Sequence, residues 1–389
     1  YLVQDDFPHD HKILFQDFQP LVYDSGNYRP ALETALELIG WNGGAEEKRR
    51  AADEGRRLGI GVVSYVEGTG IGPYEGARVT VEPNGRVRVA TGLGTQGQGH
   101  YTAFAQIVAE ALDVDVAGVL VTTGDTREFN WGTGTFASRG AVVAGSACHA
   151  AALKVREKVI EVSARLLNVP ESDIELSDGT ARVRGEPERS FTLGELAMRA
   201  NPLRGGVTPG TEPGLECTAY FGPDRGSTAS GVHAAVVEVD AETAMAKFLR
   251  YVVVHDCGKL INPMLVEGQV QGGVAHGIGN AFFEQLVYDE QGQLMNASFA
   301  DYLLPTSLDV PDVAMAHRET PAPMNTLGLK GVGEAGCIPT GALFAQALED
   351  ALDDYELEVR EIPLSPNRLF AMLQEAPRRP HPAPPETHA

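Results

Sequence analysis

Glu334 stands in the stretch KGVGEAG (330–336), a carboxylate carried on a loop built largely of glycine. Four other segments are built in the same way, namely GLGTQGQGH (92–100), WGTGTFASRG (131–140), HDCGKLINP (255–263) and GQVQGG (268–273). Glycine admits positive φ and lets backbone N–H groups come close to a ligand, which suits polyanionic or heteroaromatic groups. Any one of these loops reads equally well as a tight turn before a helix. Five in one chain, with amides and hydroxyls embedded, point to a large and mostly polar ligand gripped from many sides. Gln96 and Gln98 both donate and accept hydrogen bonds, as the edge of a fused heterocycle requires. A carboxylate near a reacting centre and shielded from bulk water is a candidate general base. Taken alone, Glu334 reads instead as an exposed loop carboxylate paired with Lys330.

A rival chemistry begins at Gly92-x-Gly94-x-x-Gly97, which has the spacing of a dinucleotide-binding turn, with Asp125 as its ribose-binding acid. A nicotinamide-dependent dehydrogenase would use these residues. The strand before them, RVRVAT (86–91), alternates with Arg86 and Arg88 as an antiparallel hairpin strand does, whereas a dinucleotide domain opens on a nearly continuous apolar strand. The second such match, GTGIGP (68–73), fails because Pro73 occupies the third glycine position.

Composition limits the partners. The 389 residues are 43% hydrophobic and 22% charged, as in ordinary globular chains, and their length suggests two or three domains. A net charge of −22, from 31 Lys and Arg against 53 Asp and Glu, disfavours nucleic acid and anionic lipid. No apolar run approaches a membrane span, and YLVQDDFPHDHK (1–12) contains no secretory pattern. Cys148, Cys217, Cys257 and Cys337 are 40 to 80 residues apart, which argues against an iron-sulfur or zinc site made by this chain alone. Sparse cysteines fit a reducing cytoplasm. His100, His233, His255 and His276 are too scattered to form a metal set, and Cys257 and Cys337 are given no role. Trp131 is read as a packing residue just ahead of a cofactor loop.

The elements that must hold these loops follow from periodicity. Residues 1–28 read as polar and irregular. YRPALETALELIGW then places Ala31, Leu32, Ala35, Leu36 and Ile39 on one helical face, and EEKRRAADEGRRLG continues as a solvated helix. Hairpins are expected at Asn84-Gly85 and Asp178-Gly179, with a long helix between them over about 149–167. Residues 201–230, rich in Gly, Pro and Thr, read as a crossing loop. Strands GVHAAVVEVD and MAKFLRYVVVHDCG flank the acidic turn 240–243, followed by a glycine-spotted helix from Ile261 and a last helix, GALFAQALEDAL. The Pro-rich tail from 377 reads as disordered. The expected class is α+β, mixed sheets with packed helices.

The ordered motifs GTQGQGHYTAFAQIVAEALDV, GTGTFASRGAVVAGSA, DCGKLINPMLVEGQVQGGVAHGIGNAFFE and LGLKGVGEAGCIPTGALFAQALEDAL together resemble the molybdopterin-binding large subunit of the molybdenum hydroxylases, the family of xanthine dehydrogenase, aldehyde oxidase and carbon monoxide dehydrogenase. The resemblance runs from about LVYDSGNY to the helix GALFAQALEDAL. It implies that Gly97, Gln98 and Gly99 hold molybdopterin and its dinucleotide extension, commonly cytosine. Ser138, Arg139, Gly140 and Ala141 would bind its phosphate or pterin edge, Gln269 and Gly333 would contact it, and Glu334 would be the active-site glutamate. Molybdenum would be held by the pterin, with no direct ligand from this chain.

The resemblance also implies two molybdopterin-binding domains, 59–200 and 231–376, after a pair of helices and a linker over 1–58. The implied reaction is water-dependent hydroxylation of an aldehyde or aromatic N-heterocycle, with carbon monoxide oxidation as the alternative on the same cofactor. Electrons would leave through [2Fe-2S] clusters and FAD on partner subunits. GGGFG-like and AYRGAGR-like loops of the family's first half are absent from these 389 residues, so the resemblance is to the carboxy-terminal half, and a further chain or segment would supply the rest. A non-catalytic scaffold of the same fold is a third class. It would have no reason to keep Glu334 in an intact KGVGEAG together with Gln98 in GTQGQGH.

Overall fold

The computed structural model describes residues 2–14, 18–208, 210 and 212–379. Within 1–28, expected to be irregular, β1 (His9–Leu14) and β2 (Pro20–Tyr23) instead form an antiparallel pair. The sequence hides it because β1 is only half-buried or exposed and has no apolar alternation. The first helix, α1 (Tyr28–Ile39), buries Ala31, Ala35 and Ile39 as its periodicity requires, and Gly40 ends it in the left-handed conformation. Helix α2 (Trp41–Asp53) follows, and the RRLG end of its expected span turns into β3 (Arg57–Thr69).

Two four-stranded sheets carry the structure. The first comprises β4 (Glu75–Val81), β5 (Val87–Thr91), β6 (Val119–Thr123) and β10 (Leu215–Phe221), in the order β10-β4-β5-β6. Strands β4 and β5 form the Asn84-Gly85 hairpin, pairing Val81 with Val87. Strand β5 is also parallel to β6, reached through α3 (His100–Leu112). The GLGTQGQGH loop thus does sit in a strand–helix–strand unit, although the sheet is mixed. Helix α4 (Ser146–Leu167) packs beside α3, and its buried Ala147, Ala151, Val155 and Val159 share one core with Val79, Val89, Phe104 and Val108. A three-stranded sheet of β7 (Ile174–Ser177), β8 (Thr180–Val183) and β9 (Glu186–Thr192), with the expected turn at Asp178-Gly179, leads into the short α5 (Leu193–Arg199).

The crossing-loop reading of 201–230 is corrected at β10. LECTAYF alternates and buries Leu215 and Ala219, completing the first sheet against β4. Its Gly- and Pro-rich flanks concealed a seven-residue strand. The second sheet, β13-β12-β11-β3, is built on β11 (Ser227–Asp240), which pairs with β3 on one side and β12 (Met245–Asp256) on the other. Its outer strand is β13 (Val313–Arg318), which runs parallel to β12. Asp240 closes the expected turn by accepting hydrogen bonds from the Glu242 and Thr243 amides. Strand β11 is buried almost throughout because α1 covers one face through Val232, Ala234 and Val236, while α6 (Pro263–Ile278) and α7 (Thr340–Ala351) share the other core with Ala235 and Val237. The helix GALFAQALEDAL is not the last: α8 (Pro366–Glu375) starts at the Ser365 cap and buries Leu369 and Leu373. Residues 377–379 are tied back by backbone hydrogen bonds to 354 and 356, and the rest of the tail lies outside the described residues.

Candidate active site

The glycine-rich loops converge. A cavity of about 370 Å³ is walled by Gln96 and Gln98 from the β5–α3 loop, residues 135–141 ahead of α4, Cys257, Lys259 and Asn262 before and at the cap of α6, Gln269 within α6, and residues 329–334. Segments separated by more than 200 residues meet at the carboxy-terminal end of β3, where Thr69 and Gly70 hold the 331 and 137 backbones. Gly70 donates to the Ala137 carbonyl, and the Gly331 amide donates to Thr69 Oγ1 at 2.9 Å. Gly331 has to be glycine, since a Cβ there would stand 2.1 Å from the Ser138 carbonyl oxygen. Ala137 and Ser138 both take positive φ, 47° and 48°, a strained turn that aims the Ser138 hydroxyl at the 334 loop.

Ser138 is the hub of the polar wall. Its Oγ lies 2.8 Å from Glu334 Oε2 and 3.0 Å from Glu67 Oε1, and it accepts the Glu334 amide at 3.2 Å. Glu334 is open to the cavity. Its expected surface partner is corrected: Lys330 is buried and donates to the Ser25 carbonyl and Thr320 Oγ1, both at 3.0 Å. Burial lowers the Lys330 pKa, while Asp256 and Asp24 oppose that fall.

Arg139, which the resemblance implies binds the phosphate or pterin edge, is fully buried. Its guanidinium pairs with Glu75 at 2.5 Å and donates to the carbonyls of Ile71, Pro73 and Gly134. The side chain clamps the 134–139 loop to β4, leaving the backbone of 138–141 to face the cavity. Gln98 accepts the Gln96 amide through Oε1 at 2.7 Å and donates through Nε2 to Gln96 Oε1 at 3.1 Å. Asn262 caps α6 by accepting the Leu265 amide, and it donates to Gln106. His100 is buried at the wall, with Nδ1 lacking a partner among the described residues, and burial pushes its pKa down to about 4, which keeps the ring neutral.

Other residues fall outside. Asp125, the acid of the rival dinucleotide reading, accepts from Arg127 at 2.7 Å, which holds its carboxyl down to about 2, and it does not line the cavity. Gly92 is glycine for packing: a Cβ there would stand 1.7 Å from the Trp131 carbonyl oxygen. The Trp131 indole stacks on Tyr74, outside the cavity wall. Among the described residues no group of His, Cys, Asp and Glu is arranged to hold a metal ion, and no helix is long and apolar enough to cross a membrane. Cys257 lines the cavity, but burial, reinforced by Asp256, pushes its thiol up to about 12.

Sequence reasoning missed Glu67, Lys259, Asn262 and His100. Lys259 and Asn262 stand inside HDCGKLINP, where the glycine is the conspicuous residue, and Glu67 precedes a glycine run that Pro73 disqualifies as a dinucleotide turn. Lys259 is an exposed cation at the cavity edge, where a second cleft lined by Gln106, His149 and Arg156 begins.

The donor set fits a large heterocycle with an anionic arm: amide edges at Gln96, Gln98, Asn262 and Gln269, an unpartnered buried imidazole nitrogen, glycine backbone on two sides and one cation at the exit. Comparison with known proteins agrees. The molybdopterin cofactor-binding domain family matches residues 34–311. Over 363 residues the chain is 35% identical to the nicotine 6-hydroxylase large subunit of Paenarthrobacter nicotinovorans, covering 90% of this chain and 44% of that one. It is 34% identical to the carbon monoxide dehydrogenase large chain of Afipia carboxidovorans, covering 85% and 42%. The crystal structure of quinoline 2-oxidoreductase from Pseudomonas putida 86 superposes with a TM-score of 0.86 at 36% identity, over 96% of this chain and 48% of that one. The chain spans less than half the length of these relatives. With an α+β fold shared along nearly its whole length with these relatives, the chain belongs to the molybdopterin cofactor-binding domain family.

Proposed function

We propose that this chain forms one half of the large subunit of a molybdenum hydroxylase, holding molybdopterin in the cavity and presenting Glu334 as the general base. The observation that carries the reading is the Glu334 carboxylate, open to a cavity of glycine backbone and amides and fixed by Ser138. The bound cofactor supplies the two-electron oxidation of a carbon centre, with water as the oxygen source. The chain's own share is to bind, orient and take a proton. Gln98, Gln269 and the backbone of 97–99, 138–141 and 333 grip the pterin. Lys259, which lines both the cavity and the second cleft, would hold the phosphates of a cytosine dinucleotide extension. Glu334 accepts the hydroxyl proton through the oxygen that Ser138 does not occupy, a task for which a positioned carboxylate contributes about 10²–10⁴-fold.

The two four-stranded sheets with their helices act as the two molybdopterin-binding domains, but the expected bounds 59–200 and 231–376 shift, since β3 pairs with β11 in the second sheet and β10 with β4 in the first. The substrate class is an aldehyde or aromatic N-heterocycle. Relatives named for nicotine and quinoline support the heterocycle, and those named for carbon monoxide keep that gas as the alternative. A further chain or segment completes the substrate wall, and partner subunits carry [2Fe-2S] and FAD in the cytoplasm, in keeping with four free cysteines and no iron-sulfur pattern here. Molybdenum and pterin analysis of the purified complex, with turnover of N-heterocycles, aldehydes and carbon monoxide compared, tests this. An intact, active complex free of molybdenum and pterin would contradict it.

A further inference from the structure

Two carboxylates and a single hydroxyl proton meet at Ser138. Its Oγ is within hydrogen-bond distance of both Glu67 Oε1 and Glu334 Oε2, yet it can donate to only one of them. The other contact has to be made by a protonated carboxyl donating to Oγ. Burial decides which. Glu334 opens to the cavity, whereas Glu67 rises from β3 behind Ser138 with Oε2 buried and without a partner among the described residues. An ionised carboxylate left with a buried, unpaired oxygen is costly, and neutralising it removes most of that cost.

We infer that Glu67 is a positioning residue of the site: its protonated carboxyl donates to Ser138, so that the Ser138 hydroxyl proton is committed to Glu334 and holds that carboxylate toward the cavity. This deepens, and rests on, the reading of Glu334 as the base. The surroundings agree. Burial first, then the hydrogen bond and charge of Glu334, push the Glu67 pKa up to about 8, with the Ser138 hydrogen bond as the smaller opposing pull. The other titratable groups facing it are Tyr65 on its own strand and Cys337 beyond Glu334, both raised chiefly by burial and further by Glu67. Its β11 neighbour is the apolar Ala229. Lys330 and Arg139, the nearest cations in sequence to the two loops, are turned to other partners. Above its pKa, Glu67 would compete for the Ser138 proton and set a second negative charge beside Glu334.

Two measurements on the purified complex test this. The first is infrared difference titration, which reads a protonated carboxyl directly and needs no turnover. The acid band should be present at neutral pH, vanish with a midpoint near 8, and be missing from Glu67→Gln. The second is the pH profile. One deprotonation with that midpoint lowers kcat about tenfold between pH ~7 and pH ~9. Glu67→Gln keeps a donor toward Ser138 but cannot ionise, so this alkaline limb should disappear, whereas Glu67→Leu should lower kcat at all pH values with little change in KM. A Glu67 carboxyl already ionised at neutral pH, or an alkaline limb in Glu67→Gln that superimposes on the parent's, would overturn the inference. Because the band is read without turnover, failure of Glu334 as the base, seen in Glu334→Gln, is told apart from failure of Glu67 to hold a proton.

Discussion

Arg139 and Glu75 form an ion pair 2.5 Å long with both side chains wholly excluded from solvent. Glu75 Oε1 also receives the amides of Thr133 at 3.0 Å and Gly134 at 3.3 Å, so one carboxylate on β4 fixes the whole loop that delivers Ser138. The pair is a clamp on the site's geometry, and its members never face the ligand space together.

Glu75→Ala leaves the Arg139 guanidinium buried and uncompensated. Breaking such a pair costs about 3–5 kcal/mol, so chemical denaturation should show a loss of that size. Cofactor content should fall with it as the 133–139 loop loosens. A loss below about 1 kcal/mol, the range of exposed pairs, would show that water reaches the clamp.

Gln98→Ala and Lys259→Met should both lower bound molybdenum and pterin after dialysis, but for different reasons. The first leaves polar partners unpaired, at about 1–3 kcal/mol. Its effect should be insensitive to salt. The second removes a phosphate's counter-charge at an exposed edge, and the deficit relative to the parent should shrink as ionic strength rises and screens the parent's own contact. Full cofactor retention by Gln98→Ala would reduce that residue to a turn-former. An equal, salt-independent loss in Lys259→Met would make Lys259 a packing residue.

Much of this was legible in the sequence, and the misses share a cause. Periodicity and turn chemistry place α1, the two hairpins and the acidic turn, because those signals are local. Strand β10 is masked by its Gly- and Pro-rich flanks, and β1 is too exposed to leave an apolar pattern. Glycines with amides marked the loops around the cavity, since those residue types carry their chemistry with them. The partners of each side chain were not legible. Lys330 neighbours Glu334 in sequence, yet it turns to Ser25 and Thr320, and Arg139 is consumed by Glu75. Glu67 and Glu334 lie 267 residues apart and meet at Ser138, so only the fold reveals their coupling.

The segment 285–308 exposes Leu286, Tyr288, Met295, Phe299, Leu303 and Leu308, with Phe299 at 82% and Leu308 at 95%. Large exposed apolar patches mark protein contacts, and the matched relatives are more than twice as long as the matched stretch, so this segment is expected to pack against the remainder of such a subunit. Expressed alone, these 389 residues should aggregate or fail to retain cofactor. Co-expression with the sequence that supplies the first half of a large subunit should yield a stable complex by native mass spectrometry. A monodisperse, cofactor-loaded and active monomer would show that the surface needs no partner.

The most direct test of the account is Glu334→Gln in the purified complex, with metal and pterin content measured beside turnover. The amide is nearly isosteric and can still meet Ser138, but it cannot take a proton. Cofactor content should stay near the parental level while turnover falls by at least ~100-fold, the lower end of what a positioned general base contributes. Turnover at the parental rate with a full complement of cofactor would contradict the assignment of Glu334 as the base.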